Sequence, residues 1–445
     1  MSTAGFGGAA APTRQARSAE TRARIVAAAT TAFVDDGIGA VSLRDIAMRA
    51  GVTHPGVLRH FSSKDALLGA VVDRLDRANA DWLERTEPAP GTLGLAALAE
   101  RNAHTPGYLA LYTALAGEAT SARHAAHEHL RERYQRVRAA VTVQLAEPPL
   151  PAAIDPATEA TNTIAAWDGL QLQQRYDPGL DLVAHLVRHE QRLLGAPPDV
   201  PPEERTAAAE AIAATVILDE EPHDGSARPG RLGRGRRADI TASAIELFAR
   251  EGFLGTSLRE LAEHAGMSKA NLIHHIGSKD ELLIAVLRLR DERTLIPEPP
   301  NAGTAVDRLF SLADTADRTA RETPGLIELY AVLASEGATP GHPAHEYFAR
   351  RFRESRRYFL SLMRRLRDEG ALRADRDPRH ESAWLPALWD GLQIQWLYDP
   401  AIDVGAHLRA YFSALVGAGS VQPAATAAPV ARAQPAATTE SSASP

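Results

Sequence analysis

The chain has 445 residues, of which 44% are hydrophobic and 24% charged, with a net charge of −7 and no cysteine. This balance excludes a fibrous or wholly disordered chain, and the missing thiols exclude disulfides, thiolate metal sites and cysteine nucleophiles. No apolar run approaches the roughly 18 residues of a membrane span, and the N-terminus lacks the pattern of a signal peptide, so a cytoplasmic protein of two to four domains without membrane contact is expected. The negative charge does not argue against nucleic acid, because only a local patch meets phosphates.

In chain order, residues 1–17 are small and polar without periodicity and read as a disordered basic arm holding Arg14 and Arg17. Residues 18–74 carry apolar residues at helical spacing. Ile25, Ala28, Ala29, Ala32 and Phe33 form one face, and Gly37 supplies a stop. A second short helix opens at Ser42, with Asp45 at capping-box distance, and ends near Gly51. A third follows a tight turn with Thr53 as its N-cap, and a fourth begins at Ser62-Ser63-Lys64-Asp65. Two short helices joined this way form a helix-turn-helix, whose second helix enters the DNA major groove.

Residues 75–195 read as helical. Residues 196–235 form a linker, first Pro-rich and then Gly/Arg-rich, with a short Ala-rich helix at about 203–219. A second helix-turn-helix occupies 236–290, a second helical region 291–420, and an Ala/Pro/Ser/Thr tail 421–445 is expected to be disordered.

The chain repeats itself. Residues 22–71 align with 237–286 without gaps, and about two positions in five are identical. Shared blocks include Ser42-Leu43-Arg44 with Ser257-Leu258-Arg259, Ala50-Gly51 with Ala265-Gly266, and Ser63-Lys64-Asp65 with Ser278-Lys279-Asp280. Downstream, Tyr112–Thr120 resembles Tyr330–Thr339, and Trp167-Asp168-Gly169-Leu170-Gln171 matches Trp389-Asp390-Gly391-Leu392-Gln393. One unit of about 200 residues has been duplicated.

The stretches SLRDIAMRAGVTHPGVLRHFSSKDALL (42–68) and SLRELAEHAGMSKANLIHHIGSKDELL (257–283) resemble the DNA-binding domain of the TetR family of repressors, over about 50 residues in each copy. The resemblance implies an all-α fold of two TetR-like units. In each, a helix-turn-helix DNA-binding domain precedes a helical ligand-binding and dimerisation domain. Implied partners are double-stranded DNA and a small-molecule effector, with no cofactor. The late helices at 182–194 and 406–415, with the Trp167 and Trp389 segments, resemble those that pair across the family dimer. An intrachain pseudodimer is therefore expected, and further pairing of whole chains stays open.

Residues near the start of a recognition helix reach base edges. The DNA-binding candidates in the first copy are Ser42, Arg44, Thr53, His54, Gly56, Arg59, His60 and Lys64. In the second they are Ser257, Arg259, Ser268, Lys269, Asn271, His274, His275 and Lys279. Arg suits guanine and Asn suits adenine. The chain has three lysines, Lys64, Lys269 and Lys279, and the first and third hold matching positions where the resemblance implies a phosphate contact. Arginines before or at the start of each module (Arg14, Arg17, Arg22 and Arg24; Arg228, Arg231, Arg234, Arg236 and Arg237) suit a neighbouring minor groove or simply a soluble linker. Two positions depart from the family. Its phosphate-binding Tyr is Leu58 in one copy and Ile273 in the other, and the Phe kept as Phe61 is Ile276 in the second.

Ligand-pocket candidates are Tyr108, Tyr112, Trp167 and Gln171, then Tyr330, Trp384, Trp389 and Gln393; aromatic residues at this spacing also serve a core. His124, His127 and His129, with His342 and His345, read as turn and helix-start residues rather than metal ligands. No nucleophile–base pattern, phosphate loop or carboxylate pair suggests an enzyme. The expected function is ligand-responsive transcription regulation, reading two dissimilar half-sites and acting as a repressor. The alternative is a small-molecule or protein-binding helical scaffold with degenerate DNA contacts.

Overall fold

The computed structural model describes residues 13–36, 38, 41–86, 92–122, 124, 126–146, 150, 154–195, 231–294, 303–339 and 341–417. The expected helix at 203–219, Gly37, Arg228 and the tail 421–445 lie outside the described residues. Eighteen helices are formed by the described residues, where the antiparallel bridge of Leu372 with Val416 is the only isolated β pairing. No described helix is long and apolar enough to cross a membrane.

The first copy contains α1 (Arg14–Asp36), α2 (Leu43–Arg49), α3 (His54–Leu58), α4 (Lys64–Arg85), α5 (Leu95–His104), α6 (Tyr108–Glu118), α7 (His127–Ala146), α8 (Pro156–Gln174) and α9 (Leu182–Leu193). The second repeats the order as α10 (Arg231–Gly255), α11 (Leu258–His264), α12 (Lys269–Ile276), α13 (Lys279–Thr294), α14 (Ala305–Glu322), α15 (Pro324–Glu336), α16 (His345–Asp368), α17 (Pro378–Tyr398) and α18 (Val404–Leu415).

Local chemistry sets these boundaries. The Thr13 hydroxyl accepts the Ala16 N–H at 3.2 Å, so α1 opens inside the stretch expected to be an arm. Both α2 and α11 open with a complete capping box. Ser42 and Asp45 exchange backbone and side-chain bonds in one, as do Ser257 and Glu260 in the other. Ser42→Ala is expected to cost about 1 kcal/mol of stability, and Ser257→Ala the same, measured by urea unfolding. In α10 the helical path breaks at Gly252, whose φ of 72° is open to glycine at little cost. α4 and α13 run without interruption across the expected boundaries at 74/75 and 290/291, so each head is joined to its body by a continuous helix.

Each head buries a small apolar core. Ile25, Phe33, Ile46 and Leu67 pack in the first, and Ile240, Phe248, Leu261 and Leu283 in the second. The bodies share a larger core in which Ala165, Ala166, Leu170 and Leu186 of the first copy meet Trp384, Leu388, Leu392 and Leu408 of the second.

The seam between copies is α8 against α17, and it is reciprocal. A β-carbon on Gly169 would lie 2.0 Å from the Ala387 carbonyl oxygen, and one on Gly391 would lie 1.9 Å from that of Ala165. The backbones can touch only because both positions are glycine. Polar contacts repeat the symmetry. Arg138 donates to Asp399 at 2.6 Å and to Gln395 at 3.3 Å; Arg356 donates to Asp177 and, at 3.2 Å, to Gln173. The Tyr398 hydroxyl donates to the Ala116 carbonyl at 2.7 Å, and Tyr176 does the same to Ala334.

Candidate DNA-reading heads and ligand cavity

In the first head, Ser42, Arg44, Thr53 and Arg59 come first. Ser42 and Arg59 are exposed, and Thr53 is exposed at the turn, while His54, Gly56, His60 and Lys64 lie in or beside α3 and at the start of α4. In the second, Ser257, Arg259, Ser268, Lys269, Asn271 and His274 stand at the equivalent places, and His275 and Lys279 are half-buried. The two recognition helices thus present different groups at equivalent positions. Thr53 accepts the Gly56 N–H at 3.1 Å, and Ser268 accepts the Asn271 N–H at 3.2 Å. Each hydroxyl caps its helix and keeps its own hydrogen to donate. Arg259 pairs on the surface with Glu263 at 2.8 Å. Leu58 and Ile273 are 43% and 39% exposed, so the positions of the missing Tyr face solvent.

Arg22 stacks over the Phe61 ring at 4.8 Å, and its counterpart Arg237 donates to the His275 carbonyl at 2.9 Å. From the first helix of its head, Arg22 reaches the residues just past α3 and Arg237 reaches α12 itself. The repeated lysines also turn inward. Lys64 donates to the Ile38 carbonyl at 2.5 Å, and Lys279 donates to that of Phe253 while lying 4.1 Å from the Phe253 ring centroid. Loss of water lowers the pKa of both ammonium groups.

Glu336 at the end of α15 connects head to body by accepting the Phe253 N–H at 2.7 Å. Burial pushes its carboxyl up to about 7. The folded chain therefore binds a proton there that the unfolded chain releases nearer pH 4.5, so stability falls as pH rises from about 4.5 to about 7. Glu336→Gln is expected to flatten that fall. Thermal unfolding at pH 5 and pH 8 should differ less in the variant than in the natural chain.

The histidine motifs follow α6 and α15. His124 and His342 accept the N–H of Ala126 and Ala344, at 3.1 and 3.2 Å. His127 and His345 bond the carbonyls of Ala119 and Gly337, at 2.9 and 2.8 Å, and their rings stack on Tyr398 and Tyr176 of the opposite copy.

In the first body, α4, α5, α6, α7 and α8 line a half-open cavity of about 530 Å³. Tyr108, Tyr112, Trp167 and Gln171 all line it. Sequence reasoning missed Asp76, Asn102, Arg133 and Asp168, which line it too. Arg133 pairs with Asp76 through two bonds of 2.7 and 2.9 Å and donates to the Tyr112 hydroxyl at 2.8 Å. The Tyr134 hydroxyl donates to Asp168 at 2.7 Å. Burial works against the Arg133 charge, but the Tyr112 oxygen and the Asp76 carboxylate outweigh it and hold the pKa well above the usual value. Burial raises Asp168 to about 6. The repeat held the signal for this pair, because Asp76 and Arg133 recur as Asp291 and Arg351.

The candidates of the second body sit differently. Tyr330 lies between Arg290 and Arg351, whose guanidinium carbons are 4.0 and 5.2 Å from its ring centroid, and burial pushes its hydroxyl up to about 12. Trp384 is fully buried with its ring 4.2 Å from that of His189. Gln393 is buried and Trp389 packs at the edge of the shared core.

Two helix-turn-helix heads, each continued by one long helix into a shared helical body, define a duplicated helix-turn-helix protein. Residues 25–71 and 240–286 each match the profile of the bacterial regulatory proteins of the tetR family, and residues 337–418 match that of the BetI-type transcriptional repressor C-terminal domain. The chain thus carries two stretches similar to the tetR-family DNA-binding domain and one similar to the BetI-type C-terminal domain. It is 46% identical over 70 residues to the HTH-type transcriptional repressor Rv3405c of Mycobacterium tuberculosis, which is 16% of this chain and 37% of that protein. To the HTH-type transcriptional regulator BetI of Rhizobium meliloti it is 29% identical over 197 residues, covering 39% of this chain and 90% of BetI. The match thus spans little more than a third of the first of these relatives. Among solved structures, a transcriptional regulator from Saccharomonospora viridis in complex with choline is covered over 99% of its length by 41% of this chain, at 23% identity and a TM-score of 0.36.

Proposed function

We propose that the chain is a ligand-responsive transcription regulator, a repressor, that reads two dissimilar DNA half-sites through α3 and α12. The division into heads at 18–74 and 236–290 and bodies at 75–195 and 291–420 belongs to this reading, as does an intrachain pseudodimer across the α8–α17 seam. The proposed DNA contacts are the outward residues of each head, led by Arg44, Thr53 and Arg59 in one and Arg259, Ser268, Lys269 and Asn271 in the other. The protein would act in the cytoplasm, without catalysis.

The observation that carries the reading is the course of α4. Its first residue, Lys64, bonds Ile38 just past the end of α1 in the head, and Asp73, Asp76 and Asn79 further along line the cavity. A molecule filling the cavity bears on the same helix that packs against α1 in the head. If it fits one setting of α4 better than another, it shifts the population of head positions and so the DNA affinity.

The test is selection of random duplexes by the full chain at fixed moderate salt. Two unlike half-sites in the recovered DNA support the reading. A perfect palindrome would assign DNA reading to one head in a pair of chains. Leu58 and Ile273, apolar and exposed where the family carries its Tyr, favour a second reading, a sensor or scaffold without DNA binding. That reading predicts no enrichment.

A further inference from the structure

We infer that, among the described residues, the two bodies hold one ligand cavity rather than two: the second copy has filled its own, and the cavity in the first takes an apolar molecule that carries hydrogen-bond donors. The inference rests on the proposed reading only in treating the cavity as an effector site.

The alignment of Thr105-Pro106-Gly107 with Thr323-Pro324-Gly325 sets the register through α7 and α16. Along the cavity wall, Ala140 is replaced by Tyr358, Val141 by Phe359 and Gln144 by Leu362. In the second body Phe359 and Leu362 are buried in the shared core, and Tyr358 packs against it and accepts from Arg308 at 2.7 Å. On the next wall, Thr163 is replaced by Leu385, which is fully buried. α14 also starts about two turns earlier in the aligned register than α5. Its residues Leu309 and Leu312 are buried beside Phe359 and Met363, where the first copy has the chain segment Leu93-Gly94 at the cavity rim. Arg290 lies over Tyr330, in the place of Leu75. Tyr358, Phe359 and Leu385 are larger than the residues they replace, whereas Leu95, Leu98 and Tyr108 become the smaller Ala313, Ala316 and Leu326. Protein interiors are close-packed, and the larger side chains, with Leu309 and Leu312 of the earlier-starting α14, occupy the volume that is open in the first copy.

The open cavity keeps unanswered polar atoms. Asn102 Oδ1 and Gln171 Oε1 are buried acceptors without a partner, and Trp167 Nε1 is a buried donor without one. Asn102 and Gln171 are 2% and 3% exposed. Buried polar groups are ordinarily bonded, so two empty acceptors lining the same cavity as Asp168 ask for a ligand with N–H or O–H groups. Leu95, Leu98, Val137 and Ile164 on the remaining wall ask for an apolar body. In the second copy Asn102 becomes Ala320, so one of the two acceptors is gone as well.

The test is fluorescence titration of the full chain with N-phenyl-1-naphthylamine, an apolar two-part aromatic with one N–H donor. The expected stoichiometry is one probe per chain. Ala140→Tyr, which writes the second copy's residue into the first, should abolish binding, with Val141→Phe as a second route to the same loss. Asn102→Ala should weaken binding about tenfold, the scale of one hydrogen bond. Two probes per chain, full binding after both plugging substitutions, or no binding to the natural chain would overturn the inference. One probe bound per chain with no change in affinity for the selected DNA would leave the single cavity standing and remove its role as an effector site.

Discussion

Gly169→Val should destabilise the chain by about 3 kcal/mol, at the upper end of overpacking costs, and Gly391→Val by a similar amount. The atom in the way is in both cases a backbone carbonyl oxygen, at 2.0 and 1.9 Å from where the new β-carbon would sit. A side chain could rotate aside, but a carbonyl inside α8 or α17 cannot move without shifting its helix. Relief requires the two helices to separate, and this would loosen the reciprocal bonds of Arg138 and Arg356 across the seam. Calorimetry should show a clearly lower melting temperature for each variant. Gly325→Ala, at a helical glycine with open space around its would-be β-carbon, is the matched control and should be neutral within about 0.5 kcal/mol. A Gly169→Val chain that melts like the natural one would mean the two bodies do not pack through these helices.

The second large effect concerns the unlike heads. Lys269→Ala with Asn271→Ala should weaken binding to one half of the selected DNA by about 10- to 100-fold and leave the other half unchanged, the discrimination that one well-formed pairing of a side chain with a base supplies. Arg59→Ala should do the reverse. Binding to half-site-swapped duplexes at constant salt measures this, and equal losses on both halves would show that the two heads do not divide the sequence between them.

The heads were legible residue by residue. Ser42 with Asp45 and Ser257 with Glu260 announce their capping boxes in sequence, because the bonds involved span three residues. The start of α1 was not legible, since a single Thr13 bond decides where an Arg- and Ala-rich stretch begins to coil. In the bodies, Tyr108, Tyr112, Trp167 and Gln171, singled out by their helical spacing, line one cavity. The same logic placed Trp384 with Tyr330, but Trp384 stacks on His189 from the other copy. Sequence spacing describes one helix and is silent about which neighbour crosses it. Lys64 and Lys279 show a further limit. Their repetition marks them as important, yet a carbonyl partner 26 residues away cannot be read from composition.

In the proposed intrachain pseudodimer both sides of the α8–α17 seam belong to one chain, so their association does not depend on how many copies are present. Two separate subunits would part on dilution, whereas these are held by a tether at an effective concentration set by its length. DNA affinity should therefore lack the steep dependence on protein amount that coupled dimerisation brings, and a few molecules would suffice to keep both heads paired. The fusion also frees each half from having to match itself. A change in α12 alters one head only, so the two ends of a binding site can diverge in sequence one half at a time.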